Sequence, residues 1–129
     1  MNTSTKQVSV LAALALGIPL MVAGPAMAKG GDAVRDSGSC SGSSTWTLKA
    51  KPDSGVLEVE LEVDSNHAGQ TWKVRLFDNG SRFFAGSRTT SGPSGSFTVH
   101  RRTADYAGSD VIKARAVHGD EVCRGSVTV

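Results

Sequence analysis

The chain has 129 residues, 14 Lys+Arg against 12 Asp+Glu, and only 5% aromatic residues. That length holds one domain and excludes two, and the near-neutral balance says little about partners except through how the charge is distributed. In the first 28 residues Lys6 is the only charge. The apolar run Val8 to Ile18 follows it, and Ala26-Met27-Ala28 forms a small-x-small cleavage signature. This pattern predicts a secretory signal peptide over residues 1–28 and a mature, extracellular chain from Lys29. The apolar run is too short and wrongly flanked for a membrane anchor, so no membrane span is expected.

Residues 29–43 are rich in Gly, Ser and Asp and are read as a flexible leader, pinned at Cys40. From Ser44 to the end, residues 44–129, the period is two rather than 3.6. Trp46, Leu48 and Ala50 alternate with Thr45, Thr47, Lys49 and Lys51, and Pro52-Asp53-Ser54-Gly55 reads as a turn. Leu57, Val59, Leu61 and Val63 then alternate with Glu58, Glu60 and Glu62 in the cleanest half-buried strand of the chain. Asp64 to Gly69 is a loop. The next strand turns Trp72, Val74 and Leu76 inward and Lys73, Arg75 and Phe77 outward. It ends at Asn79-Gly80, a type I′ hairpin signal. A two-residue loop there pairs Asp78 with Ser81, Phe77 with Arg82, Leu76 with Phe83 and Arg75 with Phe84. Opposed residues share a face, so Phe83 and Ala85 are expected inside and Arg82, Phe84 and Arg88 outside. Thr89 to Gly95 is a turn. Phe97 and Val99, with Arg101 next in the alternation, form one face of the following strand. Ile112, Ala114 and Ala116 point inward on the next, opposite Lys113 and Arg115. His118 to Glu121 turns the chain into a last strand carrying Cys123 and Val127 on one face and Arg124 and Ser126 on the other. About seven short strands with regular turns and no helical period predict an all-β antiparallel sandwich.

Two cysteines in an exported small domain read as one disulfide, Cys40 to Cys123. A redox dithiol or a metal site would call for a Cys-x-x-Cys spacing or a neighbouring His, and the sequence has neither. His67, His100 and His118 are too far apart in sequence to form a ligand pair. No Gly-x-Ser-x-Gly elbow and no phosphate-binding glycine loop occur. Glu58, Glu60 and Glu62 resemble an acidic array, but Lys49, Lys51, His100 and Arg102 are placed to pair with them across strands. Asn79-Gly80-Ser81 fits a glycosylation sequon and is fully accounted for as a turn. No enzyme activity, cofactor or metal is expected.

Three features carry a resemblance to bacterial immunoglobulin-like domains. Trp72 opens the strand in which such domains often bury a Trp. Ala107-Gly108-Ser109-Asp110-Val111-Ile112-Lys113-Ala114 is similar to the Ala-Gly-Thr-Asp-x-Ile-x-Ala run of many bacterial surface modules. Ser126 to Val129 closes the chain in the alternation of a last strand. The inter-sheet disulfide usual in antibody-type domains is absent; Leu61 and Ile112 are suited to fill its space. Tyr106 precedes the motif, so the usual tyrosine corner is not matched. The resemblance implies a sandwich of the immunoglobulin type and a role in adhesion, spacing or ligand binding.

In such a sandwich the strands around Trp72, Ile112 and Cys123 share a sheet. Its outward positions are then Lys73, Arg75, Arg82, Arg88, Lys113, Arg115 and Arg124, with Phe77 and Phe84 among them and no acidic residue. Arg and aromatic enrichment marks contact surfaces. The expected function is a monomeric, secreted, non-enzymatic binding module whose basic face meets an anionic cell-wall polymer, polysaccharide or protein, with no nucleic-acid partner. A structural envelope-associated protein with no small ligand is the alternative reading. So is a hydrolase inhibitor that uses the Asp64 to Gly69 loop.

Overall fold

A computed structural model describes residues 31–129; the signal-peptide segment expected over residues 1–28 and the start of the leader lie outside the described residues. Eight strands form: β1 (Val34–Ser39), β2 (Thr45–Asp53), β3 (Val56–Asp64), β4 (Thr71–Asp78), β5 (Ser81–Thr89), β6 (Ser96–Ala104), β7 (Val111–His118) and β8 (Glu121–Thr128). They make two antiparallel four-stranded sheets, ordered β1-β2-β3-β6 and β5-β4-β7-β8. The described residues are thus all-β with two sheets enclosing one core, and no helix among them is long and apolar enough to cross a membrane.

The period-two pattern puts the apolar set inside. Leu48, Ala50, Leu57, Val59, Leu61 and Val63 from one sheet meet Trp72, Val74, Leu76, Ile112 and Ala116 from the other, all essentially without solvent exposure. Leu61 and Ile112 are both buried. The Trp72 ring packs against Phe97 at 6.2 Å and His118 at 5.4 Å between centroids. Tyr106 is exposed and takes no part in the core.

Two expectations are corrected. Part of the stretch read as a flexible leader, Val34–Ser39, is a strand that pairs with β2 from Val34↔Ala50 to Ser39↔Thr45. Its sequence has little to bury, and the free edge of β2 supplies the hydrogen-bond ladder that orders it. The second correction concerns the β4–β5 hairpin. Asn79 and Gly80 adopt positive φ (47° and 86°), as a type I′ turn requires, and Asp78↔Ser81 and Phe77↔Arg82 pair as expected. Between Leu76 and Phe77 the register then shifts, so that Leu76 opposes Phe84 and Arg75 opposes Ala85. Phe83 is the extra residue of a β-bulge, and one extra residue moves every later side chain to the other face. Phe84, Gly86 and Arg88 therefore turn inward with Leu76, Val74 and Trp72. Ala85 and Ser87 turn outward.

The expected disulfide is present, joining Cys40, just after β1, to Cys123 on β8. It links the edge strands of the two sheets. The same edge is laced by Ser41 N–H to Val122 O at 2.9 Å, by Val122 N–H to Ser41 Oγ at 2.9 Å, and by Ser44 Oγ donating to the Glu121 carboxylate.

Candidate functional site

The outward face of the β5-β4-β7-β8 sheet carries six of the seven expected cations. Register places Arg75 opposite Arg115, and Arg115 opposite Arg124. Three guanidinium side chains thus lie in one row across three strands, about 5 Å between neighbouring strands. Phe77 opposes Lys113 on one side of the row and Arg82 on the other strand, while Lys73 opposes Val117. Lys73, Arg75, Arg82, Lys113 and Arg124 are exposed; Phe77 and Arg115 are half-buried. Phe77, Lys113, Arg115, Arg124 and Ser126 line an open depression of about 370 Å³, with Ala114 and Gly125 between them.

No Asp or Glu stands at an outward position of these four strands. None of the six cations has a carboxylate within 4.0 Å, and all twelve acidic residues of the chain are among the described residues. Like charges directly opposite on a sheet destabilise it. The row is thus an electrostatic cost that folding leaves uncompensated, and an anion laid along it would relieve that cost.

Arg88 and Phe84, both expected on this face, are not on it. The bulge sends them to the lateral mouth between β5 and β6. The signal for this was Gly86. A glycine inside a strand marks a bulge or a close approach, and a Cβ at Gly86 would stand 2.9 Å from Phe84 Cζ. Arg101 is brought into the same place from β6. It follows Phe97 and Val99 in the alternation, as expected, but its meeting with Phe84 depends on the bulge.

The opposite sheet is mixed in sign. Arg102 contacts Glu58 at 2.7 Å and Asp53 at 3.9 Å, and His100 Nε2 lies 3.3 Å from Glu60. Glu58 and Glu60 are thus engaged across strands by β6, whereas among the described residues Glu62 has no cation within 4.0 Å and neither Lys49 nor Lys51 makes the expected pair. His118 Nδ1 contacts Thr71 O at 2.8 Å, and His67 lies in the exposed loop after β3. No group of three or more metal-ligating side chains with suitable geometry occurs among the described residues. The Asp64 to Gly69 loop is held at its base, where Ser65 Oγ donates to Gly95 O at 3.1 Å and Gln70 N–H donates to Thr90 Oγ1 at 2.9 Å.

A second polar cluster sits at the end of the sandwich where the β4–β5 turn meets the loop before β7. Asp78 and Asp110 are both buried. Asp78 Oδ2 accepts from Thr103 Oγ1 at 3.1 Å, and Asp110 Oδ1 accepts from Asn79 Nδ2 at 3.3 Å. Asp78 Oδ1 and Asp110 Oδ2 have no hydrogen-bond partner. Burial first, and then the neighbouring Asp78 carboxyl, raise the Asp110 carboxyl above the ordinary 3.8; contacts from Asp105 and the Tyr106 backbone oppose this only in part. The native state therefore holds this proton more tightly than the unfolded chain does. The resulting stability is present below pH 3.8 and is lost as pH rises through the raised native value. Asp110→Asn should remove that loss. Its new Nδ2 can donate toward the unpartnered Asp78 oxygen, a bond worth about 1 kcal/mol. Melting curves across pH 4 to 8 (a window chosen around the usual carboxylate range) should show the variant gaining on the native chain as pH rises. A variant that melts lower than the native chain at the alkaline end would contradict this reading.

No family model matches the chain, and neither the curated proteins nor the solved structures contain a match to it.

Proposed function

We propose that this chain is a secreted, non-enzymatic binding module of immunoglobulin-like architecture that contacts an anionic extracellular or cell-wall partner through its basic sheet face. The observation that carries the reading is the unpaired Arg75–Arg115–Arg124 row on a face without acidic residues. The sheet order, with β2, β3 and β6 facing β5, β4, β7 and β8, supports the immunoglobulin-like architecture, as does the buried Trp72 on β4. The signal-type pattern of residues 1–28 and the Cys40–Cys123 bond support export.

Binding to cell-wall fractions, and to dextran sulfate as a generic polyanion, should weaken as salt rises, because exposed charges are screened beyond about 8–10 Å at physiological ionic strength. Arg75→Glu with Arg115→Glu should weaken binding about tenfold or more, a loss of roughly 1.4 kcal/mol. Lys49→Glu with Lys51→Glu, on the opposite sheet, should change it little. Equal losses from the two pairs, or retention that is insensitive to salt, would refute the proposal.

A further inference from the structure

β5 and β6 are edge strands of opposite sheets, and their lateral mouth lies away from the disulfide-closed β1/β8 edge. After the bulge, Phe84 lies over Gly86 and faces this mouth together with Arg88. The Arg88 guanidinium carbon is 5.2 Å from the Phe84 ring centroid, and that of Arg101, arriving from β6, is 4.6 Å from it. Phe84 and Arg88 are half-buried and Arg101 is exposed.

Among the described residues each guanidinium donates only to the carbonyl just before it in the chain, Arg88 Nη1 to Ser87 O and Arg101 Nη1 to His100 O, both at 2.9 Å. A guanidinium carries five N–H donors, so most of the donors at this mouth have no partner among the described residues. Neither arginine has a carboxylate within 4.0 Å, whereas the adjacent Arg102 has two. Two cations share one ring and repel each other. The ring quadrupole offsets part of that repulsion and holds both planar groups in place. The mouth therefore presents two positive charges and two braced donor forks from different sheets.

We propose that Arg88 and Arg101, braced on Phe84, form a binding site for a tetrahedral dianion, the group of a phosphate monoester. The chemistry favours that class. A monoester dianion matches two cations in charge and offers three free oxygens to two bidentate forks. A carboxylate offers one charge and two oxygens. The site shares no residue with the Arg75–Arg115–Arg124 row, so either proposal can fail alone.

The test is an NMR titration of the purified protein with inorganic phosphate, inorganic sulfate and, as the planar control, acetate. The Arg side-chain Nε–Hε signals are the readout. Phosphate or sulfate should shift the Arg88 and Arg101 signals saturably, and acetate should not. Arg88→Gln with Arg101→Gln should weaken binding about tenfold or more, because it removes two charge-assisted forks. Arg101→Lys keeps the charge but loses the fork and should fall between the two. The backbone amide spectrum shows whether each variant keeps its fold. Lowering pH from about 7.5 to about 5.5 takes phosphate through its second ionisation, near 6, while sulfate keeps both charges. Phosphate should therefore weaken relative to sulfate. A preference for phosphate at the higher pH supports a phosphate monoester as the natural group, and a preference for sulfate there would overturn that assignment. Shifts spread evenly over all surface arginines, equal binding of acetate, or unchanged affinity in the folded double Gln variant would each overturn the proposal.

Discussion

Replacing both bridge cysteines, Cys40→Ala with Cys123→Ala, is expected to lower stability by about 2–5 kcal/mol. The bond spans a sequence separation of 83 residues, nearly the whole described chain. Closing a loop of that size restricts the unfolded ensemble, and chain entropy places the effect near ~4.5 kcal/mol. A domain of this size has a total stability of roughly 5–15 kcal/mol, so the loss takes a large share of it. The melting temperature should fall by ~8–40 °C, at roughly 4–8 °C per kcal/mol. The neighbouring bonds from Ser41 to Val122 and from Ser44 to Glu121 also depend on the bridge holding the β1–β2 turn against β8. Reduction of the native chain with dithiothreitol should reproduce the variant's melting curve. A shift of less than ~5 °C from either treatment would show that the edge is held by its other contacts.

Gly125→Ala is expected to cost about 1–3 kcal/mol, although it adds a single methyl group. Gly125 opposes Ala114 and so faces the core. A Cβ there would stand 2.7 Å from Trp46 Cζ3, closer than carbon atoms approach. On the β1 side a Cβ built on Gly38 would also stand only 3.0 Å from Trp46 Cζ2, so both strands approach the indole closely. Trp46 thus occupies a slot between β1 and β8 that two glycines leave open. Urea unfolding should show a lower midpoint with an unchanged slope, since the fold persists and only its packing is strained. Trp46→Leu in the Gly125→Ala background should recover part of the midpoint by relieving the contact. A fully native midpoint for Gly125→Ala would mean that the ring has room the structure does not give it.

The period of two in residues 57–63 was enough to place four apolar side chains inside and three glutamates outside. On a strand, facing is a local property, decided by parity along the chain. The Asn79-Gly80 turn was legible for a similar reason: few residue pairs tolerate two successive positive φ angles. The disulfide was legible because two cysteines admit one intramolecular pairing. Six of the seven cations of the candidate face followed from parity plus a sheet order borrowed from the resemblance.

Register beyond the turn was another matter. Either Phe83 or Phe84 satisfies an apolar-in pattern opposite Leu76. What separates them is whether a ring can lie over Gly86 and reach Arg101 on a strand of the other sheet, a contact made only when the sheets are stacked. That tertiary preference inserted the bulge and moved Phe84 and Arg88 from the basic face to the β5–β6 mouth. Strand β1 is the same kind of case. Val-Arg-Asp-Ser-Gly-Ser has no apolar alternation of its own. It is extended because β2 offers an open ladder, Trp46 needs a glycine beside it, and Cys40 must reach Cys123. The sequence alone determined which way most side chains face, since that depends on neighbours along the chain. Only the tertiary structure decided the bulge, the first strand and the arginine pair, since each depends on groups far apart in sequence packing against one another.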